Sequence, residues 1–322
     1  MTIIVTGGAG FIGSCIVRSL NDNGFKDIVI VDNIRETEKW KNLVNKDYIE
    51  YINRDDFLGR LDSFSGKVSH IIHMGACSST TEKDFDFLYK NNYEYTKKLW
   101  NFSAKEKISF IYASSAATYG AGEFGFDDKG DISVLRPLNG YGYSKHLFDI
   151  WAERQSEHPK QYCGFKFFNV YGPNEYHKGS MASVVLHTFD KVNETGKMGL
   201  FKSYKEGFAD GMQLRDFVYV KDICKVILFV MEHPDINGLF NLGTGEARSF
   251  KDLCINTFKS MGLEPKIEYV DMPESIRDKY QYFTEAKMDK LRETGYRDKF
   301  YSLEEGIADY VKNYLIKDRA TY

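Results

Sequence analysis

The stretch Ile3-Ile4-Val5-Thr6-Gly7-Gly8-Ala9-Gly10-Phe11-Ile12-Gly13 decides the fold. A short β-branched run leads straight into glycines, and Phe11, Ile12, Cys15, Ile16 and Leu20 then recur at helical spacing, so the segment reads as strand, tight turn, helix. Gly8, Gly10 and Gly13 satisfy Gly-x-Gly-x-x-Gly, and Gly7, Gly10 and Gly13 satisfy Gly-x-x-Gly-x-x-Gly. Side chains here would keep a pyrophosphate off the backbone amides. A helix starting near Phe11 offers that anion free N–H groups and the positive end of its dipole. Asp32 follows the apolar strand Ile28-Val29-Ile30-Val31 and lies 19 residues beyond Gly13, where a carboxylate can accept hydrogen bonds from an adenosine ribose. A glycine cluster alone is equally a plain turn; the strand before, the helix after and the distant acid together read as a dinucleotide site. Asp32 disfavours a 2′-phosphate, whereas Arg35, Lys39 and Arg54 offer to bind one, so these residues leave NAD and NADP both open.

The alternation continues outward from this turn. A third strand is expected around Tyr48 to Ile52, and His70-Ile71-Ile72-His73-Met74 and Ser109-Phe110-Ile111-Tyr112-Ala113 read as two more, separated by a helical pattern through Phe87, Asn91 and Trp100. Strands alternating with helices imply right-handed crossovers and a parallel sheet. The expected fold class is therefore α/β, a Rossmann-like doubly wound parallel sheet with a smaller, interleaved C-terminal lobe. After Gly172 the sequence turns rich in Gly, Lys and Tyr, as a substrate lobe would be, and Leu239-Phe240-Asn241-Leu242 suggests that the chain re-enters the first domain. The expected division gives 1–172, with a returning segment near 215–245, to the dinucleotide domain, and 173–214 with 246–322 to the substrate-binding lobe.

Composition narrows the function. The 322 residues suggest about two domains at roughly 150 residues each. Hydrophobic residues at 43% and charged residues at 28% argue against a disordered, collagen-like or coiled-coil chain. Apolar runs such as Val226 to Met231 fall far short of the roughly 20 residues that span a bilayer. A net charge of −3 gives no general attraction to nucleic acid or an anionic membrane. The first residues show no basic and apolar leader, and five cysteines without a Cys-x-x-Cys pair argue against a disulfide framework or a zinc site. A reducing cytoplasm is the expected location. His70 and His73 should face opposite sides of their strand, so no metal pair is expected there.

Tyr141-Gly142-Tyr143-Ser144-Lys145 contains Tyr-x-x-x-Lys, which on a helix puts Tyr141 and Lys145 on one face. The ammonium can then lower the phenol pKa, and a phenolate can take a carbinol proton as hydride leaves for a nicotinamide. The same pattern occurs at Tyr93 with Lys97 and at Tyr162 with Lys166, but only the middle pair follows a strand ending in Ala113-Ser114-Ser115. Ser115 reads either as a strand-end cap or as a hydrogen-bonding partner of the reacting hydroxyl and Tyr141.

With these features, Gly75-Ala76-Cys77-Ser78-Ser79-Thr80-Thr81, Tyr112-Ala113-Ser114-Ser115-Ala116-Ala117-Thr118-Tyr119-Gly120, Phe168-Asn169-Val170-Tyr171-Gly172-Pro173 and His177-Lys178-Gly179-Ser180-Met181-Ala182-Ser183 strongly resemble the extended short-chain dehydrogenase/reductases that act on nucleotide sugars. The first and last of these runs are most similar to the branch acting on ADP-linked heptoses. The resemblance implies a bound NADP, with NAD the alternative, and inversion of heptose C6 by transient oxidation for lipopolysaccharide core assembly. It implies a cytoplasmic homo-oligomer, often a pentamer. Tyr141 and Lys178 would be the two acid/base groups, supported by Ser115 and Lys145. Gly7, Gly10, Phe11, Ile12, Gly13, Asp32, Asn33, Lys39, Arg54, Met74, Gly75, Ala76, Cys77, Ser78, Asn91, Tyr141, Lys145, Val170 and Lys178 would line the cofactor. Ser115, Asn169, Ser180, His187, Phe201, Lys202, Ser203, Tyr204, Arg215 and Tyr280 would meet the substrate, with Arg215 suited to a diphosphate. Two departures stand out: Arg54 replaces an expected lysine, and the loop from Lys202 to Leu214 is longer than usual.

A UDP-hexose 4-epimerase would share the fold, cofactor and Tyr141; His177 to Ser180 sets this chain apart. A 4,6-dehydratase needs an Asp-Glu pair after the strand-end hydroxyl, where this chain has Ala116, Ala117 and Thr118. A non-catalytic NADP sensor on the same fold would be expected to lose the Ser/Tyr/Lys set, which is intact.

Overall fold

The computed structural model describes residues 1–277 and 280–322. Twelve strands run, in chain order among the described residues, as β1 Thr2–Thr6, β2 Ile28–Asp32, β3 Glu50–Asn53, β4 Val68–His73, β5 Ser109–Ser115, β6 Gln161–Phe167, β7 Asn169–Tyr171, β8 Met198–Phe201, β9 Leu214–Tyr219, β10 Gly238–Leu242, β11 Ala247–Ser249 and β12 Ile267–Val270. Seven of them form one parallel sheet in the order β10-β6-β5-β4-β1-β2-β3. β2 is buried along its whole length, as the apolar run Ile28-Val29-Ile30-Val31 requires when helices cover both faces of a sheet. β2 and β3 lie on one side of β1, whereas β4 pairs with its other edge. The strand order therefore reverses at β1/β4, which opens a crevice at the carboxyl ends of these strands.

The α/β class and parallel sheet agree with the sequence reading, and four local features differ from it. The third strand is Glu50–Asn53, shifted two residues toward the C-terminus. β6, which pairs with β5 along Gln161–Phe167, carries no ordinary strand signature because Gly164 and a fully buried Lys166 interrupt its apolar pattern. The returning region splits: β10 joins the large sheet beside β6, but β9 joins β7 and β11 in a separate three-stranded sheet. The helical stretch after Asp84 is not continuous either, since a π-helical segment, Tyr89–Glu94, separates Phe85–Leu88 from Tyr95–Glu106. Such insertions are frequent at functional sites because they shift which residues face inward.

His73 at the end of β4 is buried between two hydroxyls, with Nδ1 2.6 Å from Thr6 Oγ1 and Nε2 2.9 Å from Thr96 Oγ1. Burial holds its pKa down at about 3. The native state thus refuses a proton that the unfolded chain accepts near pH 6.5. Stability carried by neutral His73 is complete above that pH and is lost as pH falls toward 3, at about 1.4 kcal/mol per pH unit. Urea unfolding at pH 5 and pH 7 should show stability falling with pH, and His73→Gln should reduce the slope, leaving the share of His70 and His177, which burial likewise holds at about 4. Among the described residues, no helix is long and apolar enough to cross a membrane, and no cluster of His, Cys, Asp or Glu could hold a metal.

Candidate active site

The glycine turn is built as the sequence pattern demands. Gly7 sits at φ +67, and a Cβ there would lie 2.7 Å from the Gly75 nitrogen at the end of β4. A Cβ on Gly13 would lie 2.1 Å from the Gly7 carbonyl oxygen, so only glycine lets the helix Phe11–Asp22 approach the turn this closely. That helix begins at Gly10 with no side chain capping it, which leaves its first N–H groups free at the crevice. Asp32 Oδ2 accepts from the Ala9 N–H at 2.9 Å, and Oδ1 pairs with Lys39 Nζ at 2.6 Å and accepts from the Asn33 N–H at 2.6 Å.

A cleft of about 540 Å³ opens here, lined by Gly7, Gly10, Phe11, Ile12, Gly13, Asp32, Asn33, Arg35, Lys39, Arg54, Met74 through Ser79, Asn91, His177 and Lys178. Arg54 closes one edge, bonded to Asn91 Oδ1 and paired with Asp55. A backbone cradle that any Cβ would fill, an uncapped helix start and cations around one carboxylate form a fitting receptacle for a dinucleotide.

A second cleft of about 450 Å³ adjoins the first and contains Ser115, Tyr141, Lys145, Asn169, Val170, Lys178 and Arg215. β5 delivers Ser115 at its end, and the helix Gly140–Glu153, capped by the Asn139 side chain, brings Tyr141 and Lys145 over it. Ser115 caps the turn after β5, its Oγ accepting from the Ala117 N–H at 3.1 Å, and it lines the same cleft as Tyr141. Lys145 Nζ donates to the Ala113 carbonyl at 2.9 Å.

The electrostatics correct one expectation. Burial raises the Tyr141 pKa above its ordinary 10, and the Ser115 hydrogen bond opposes that rise; Cys77 and Asp149 add to it. Lys145 is itself held down to about 8 by burial, with Asp149 resisting. In the protein alone the phenol therefore stands above its ordinary value, because desolvation dominates.

Among the described residues, Lys178 is the one acid/base candidate lining both clefts. Its Nζ lies 5.6 Å from the Phe11 ring centroid, and among the described residues it makes no hydrogen bond or ion pair. Burial lowers its pKa, opposed by Glu175. Glu175, only 1% exposed, fixes this loop by accepting from the Ser183 N–H and Oγ, both at 2.6 Å. Arg215, 8% exposed, packs against Tyr280 and Phe250 at 5.3 and 5.6 Å and donates to the Leu214 and Gln281 carbonyls. It has no carboxylate partner among the described residues.

Other expected substrate residues are not gathered here. Phe201 meets the Tyr280 ring edge-on at 6.3 Å between centroids and lines neither cleft. Lys202 Nζ and Tyr204 OH both turn to Asp271, at 3.1 and 2.8 Å, and the Ser203 N–H donates to Asp210. The longer loop is thus anchored on Asp210 within it and on Asp271 after β12. Ser180 is exposed on the Tyr176–Met181 turn, and His187 lines a separate groove with Phe189 and Leu315.

Three supporting residues escaped the sequence reading. Asn92, on the π-helical segment, accepts from the Cys77 N–H at 2.8 Å and donates to the Cys77 carbonyl and Ser144 Oγ, locking the Gly75–Ser79 loop to the Tyr141 helix. Asp149 and Lys166 are a buried pair behind Lys145. Asp149 could have been found at the next helical repeat after Tyr141 and Lys145; Asn92 left no comparable signal.

A family profile described as the NAD dependent epimerase/dehydratase family matches residues 3–243. A Fusobacterium nucleatum protein named ADP-L-glycero-D-manno-heptose-6-epimerase is 52% identical over 98% of each chain. A Nitratidesulfovibrio vulgaris protein of the same name is 51% identical over 97% of each. The crystal structure of the Helicobacter pylori protein of that name superposes with a TM-score of 0.81 at 29% identity, covering 97% of this chain and 95% of that one. A UDP-glucose 4-epimerase from Thermotoga maritima superposes at 0.80 with 26% identity, covering 99% of both.

Proposed function

The chain belongs to the NAD dependent epimerase/dehydratase family, and from that premise we propose that it interconverts ADP-D-glycero-β-D-manno-heptose and ADP-L-glycero-β-D-manno-heptose by inverting C6. The observation that carries this reading is Lys178: a half-buried amine, unpaired among the described residues, lines one cleft with Tyr141 and also lines the adjoining dinucleotide crevice. The names of the relatives at 51–52% identity supply the sugar.

A C–H on a secondary carbinol is too weakly acidic for direct removal, so inversion requires oxidation to a ketone and reduction on the other face. A nicotinamide dinucleotide, when bound, accepts the hydride and returns it. Tyr141 Oη takes the hydroxyl proton in one orientation of the sugar, and Lys178 Nζ supplies a proton in the other. Lys145 remains a cation beside the phenol, and Ser115 Oγ orients the reacting oxygen. The hydride that leaves C6 returns to it, so the reaction is redox-neutral, and exchange with solvent returns the proton gained at Tyr141 and replaces the one given by Lys178. Arg215, buried and without a carboxylate partner among the described residues, suits the substrate diphosphate.

The cofactor is NADP on this reading. Asp32 would repel a 2′-phosphate, but Lys39 already neutralises it, and Arg35 and Arg54 add positive charge to the same rim. Lys39→Ala and Arg54→Ala should each weaken NADP binding about tenfold and leave NAD binding within about twofold, as read by titrating nicotinamide-free protein.

The reaction is tested with C6-deuterated substrate. Retention of deuterium at C6 in the product is expected, since the same hydride returns. Its exchange for solvent hydrogen would overturn transient oxidation by a bound dinucleotide. The assembly state is proposed to be a homo-oligomer.

A further inference from the structure

Behind the reacting groups lies a buried charged pair that this chemistry does not employ. Tyr141, Lys145 and Asp149 recur every fourth residue along one face of the helix Gly140–Glu153. Asp149 is 1% exposed, and Lys166 on β6 is 0%. Asp149 Oδ2 accepts from Ser114 Oγ at 2.6 Å and from Lys166 Nζ at 3.3 Å, and Oδ1 accepts from Tyr112 OH at 3.2 Å. Lys166 Nζ also donates to Thr118 Oγ1 at 2.5 Å, and Thr118 Oγ1 donates to the Ser115 carbonyl at 2.8 Å. With Lys145 Nζ on the Ala113 carbonyl, three consecutive residues of β5 are each tied to the helix or to its buried counter-charge.

A buried ion pair seldom stabilises a protein more than apolar side chains of the same volume would, so its presence one turn from Lys145 asks for another role. We propose that Asp149 is a positioning residue of the reaction, one that keeps Lys145 a cation beside Tyr141 and holds Ser115 in register with both. Lys145 faces Asp149, Cys77 and His73. Asp149 in turn faces Lys166, Tyr112, Glu153, His146 and Tyr141. Asp149 is the negative group that opposes the loss of the Lys145 proton on burial. Lys166 balances Asp149 and carries its position through Thr118 to the Ser115 backbone.

The kinetic part of the proposal rests on the epimerase reading, and the spectroscopic part does not. In holoprotein carrying isotope-labelled lysine, the Lys145 side-chain resonance, assigned with Lys145→Arg, reports its titration directly. Asp149→Asn should lower that midpoint by about one pH unit and move the alkaline limb of kcat down with it, with KM changed less than about twofold. The double variant Asp149→Asn with Lys166→Met removes both buried charges and restores stability, yet should keep the lowered midpoint. An unchanged midpoint in either variant, or a double variant that regains the parental midpoint together with its melting temperature, would reduce the pair to a structural one. A shifted resonance in a protein that turns over no ADP-heptose would retire the epimerase reading and leave the Asp149 assignment in place.

Discussion

Tyr141→Phe is expected to lower turnover by about a thousandfold while cofactor stays bound, the loss typical when a positioned acid/base group is removed. The ring still fills its place against the Ser115 turn, so the fold is kept. The pyrophosphate cradle at Gly7, Gly10 and Gly13 lies on another strand end and is untouched. What disappears is the phenolic oxygen that shares the cleft with Ser115. The wild-type pH dependence follows from its neighbour. Lys145, held at about 8, is charged below that pH and neutral above it, so activity should decline as pH rises through 8.

Lys178→Met should lower turnover by about a hundredfold or more, and its signature differs from that of Tyr141→Phe. Each group handles one orientation of the reacting oxygen. Lys178→Met should therefore still oxidise the epimer whose hydroxyl meets Tyr141, while Tyr141→Phe oxidises the other. Rapid mixing of each variant with each epimer, read by the fluorescence of reduced nicotinamide, checks the assignment. Equal responses to both epimers in both variants would remove the two-base scheme. Burial of Lys178 favours its neutral form and Glu175 opposes this, which suits an amine that must both take and release a proton.

The features legible in the sequence are those where backbone geometry admits few residue types. The close approach of Gly13 to Gly7 and the positive φ of Gly7 leave only glycine, so the turn could be read directly. Helical spacing gave Tyr141 and Lys145, and the preceding strand end separated them from two other matches. The structure accounts for those as well. Lys97 lies over the Tyr93 and Trp151 rings as a packing pair, and Lys166 is buried on β6 against Asp149.

Less local features were not legible. A charged residue fully inside a parallel strand makes sense only once its partner, 17 residues earlier on a helix, is known. Asn92 acts because a π-helical segment rotates it inward, which no regular periodicity reveals. The substrate positions at Ser180, His187 and Lys202 to Tyr204 came from resemblance alone. In this chain the longer loop pairs with Asp210 and Asp271, and these side chains stand away from the cleft.

On the proposed reading, one chain with its own bound dinucleotide inverts a single sugar carbon. Purified protein incubated with ADP-D-glycero-β-D-manno-heptose and followed by proton NMR at C6 tests it most directly. The L-glycero epimer is expected to appear with no cofactor added. No conversion, even with NAD or NADP supplied, would contradict it and move the substrate to another nucleotide sugar, with UDP-hexoses the first to try.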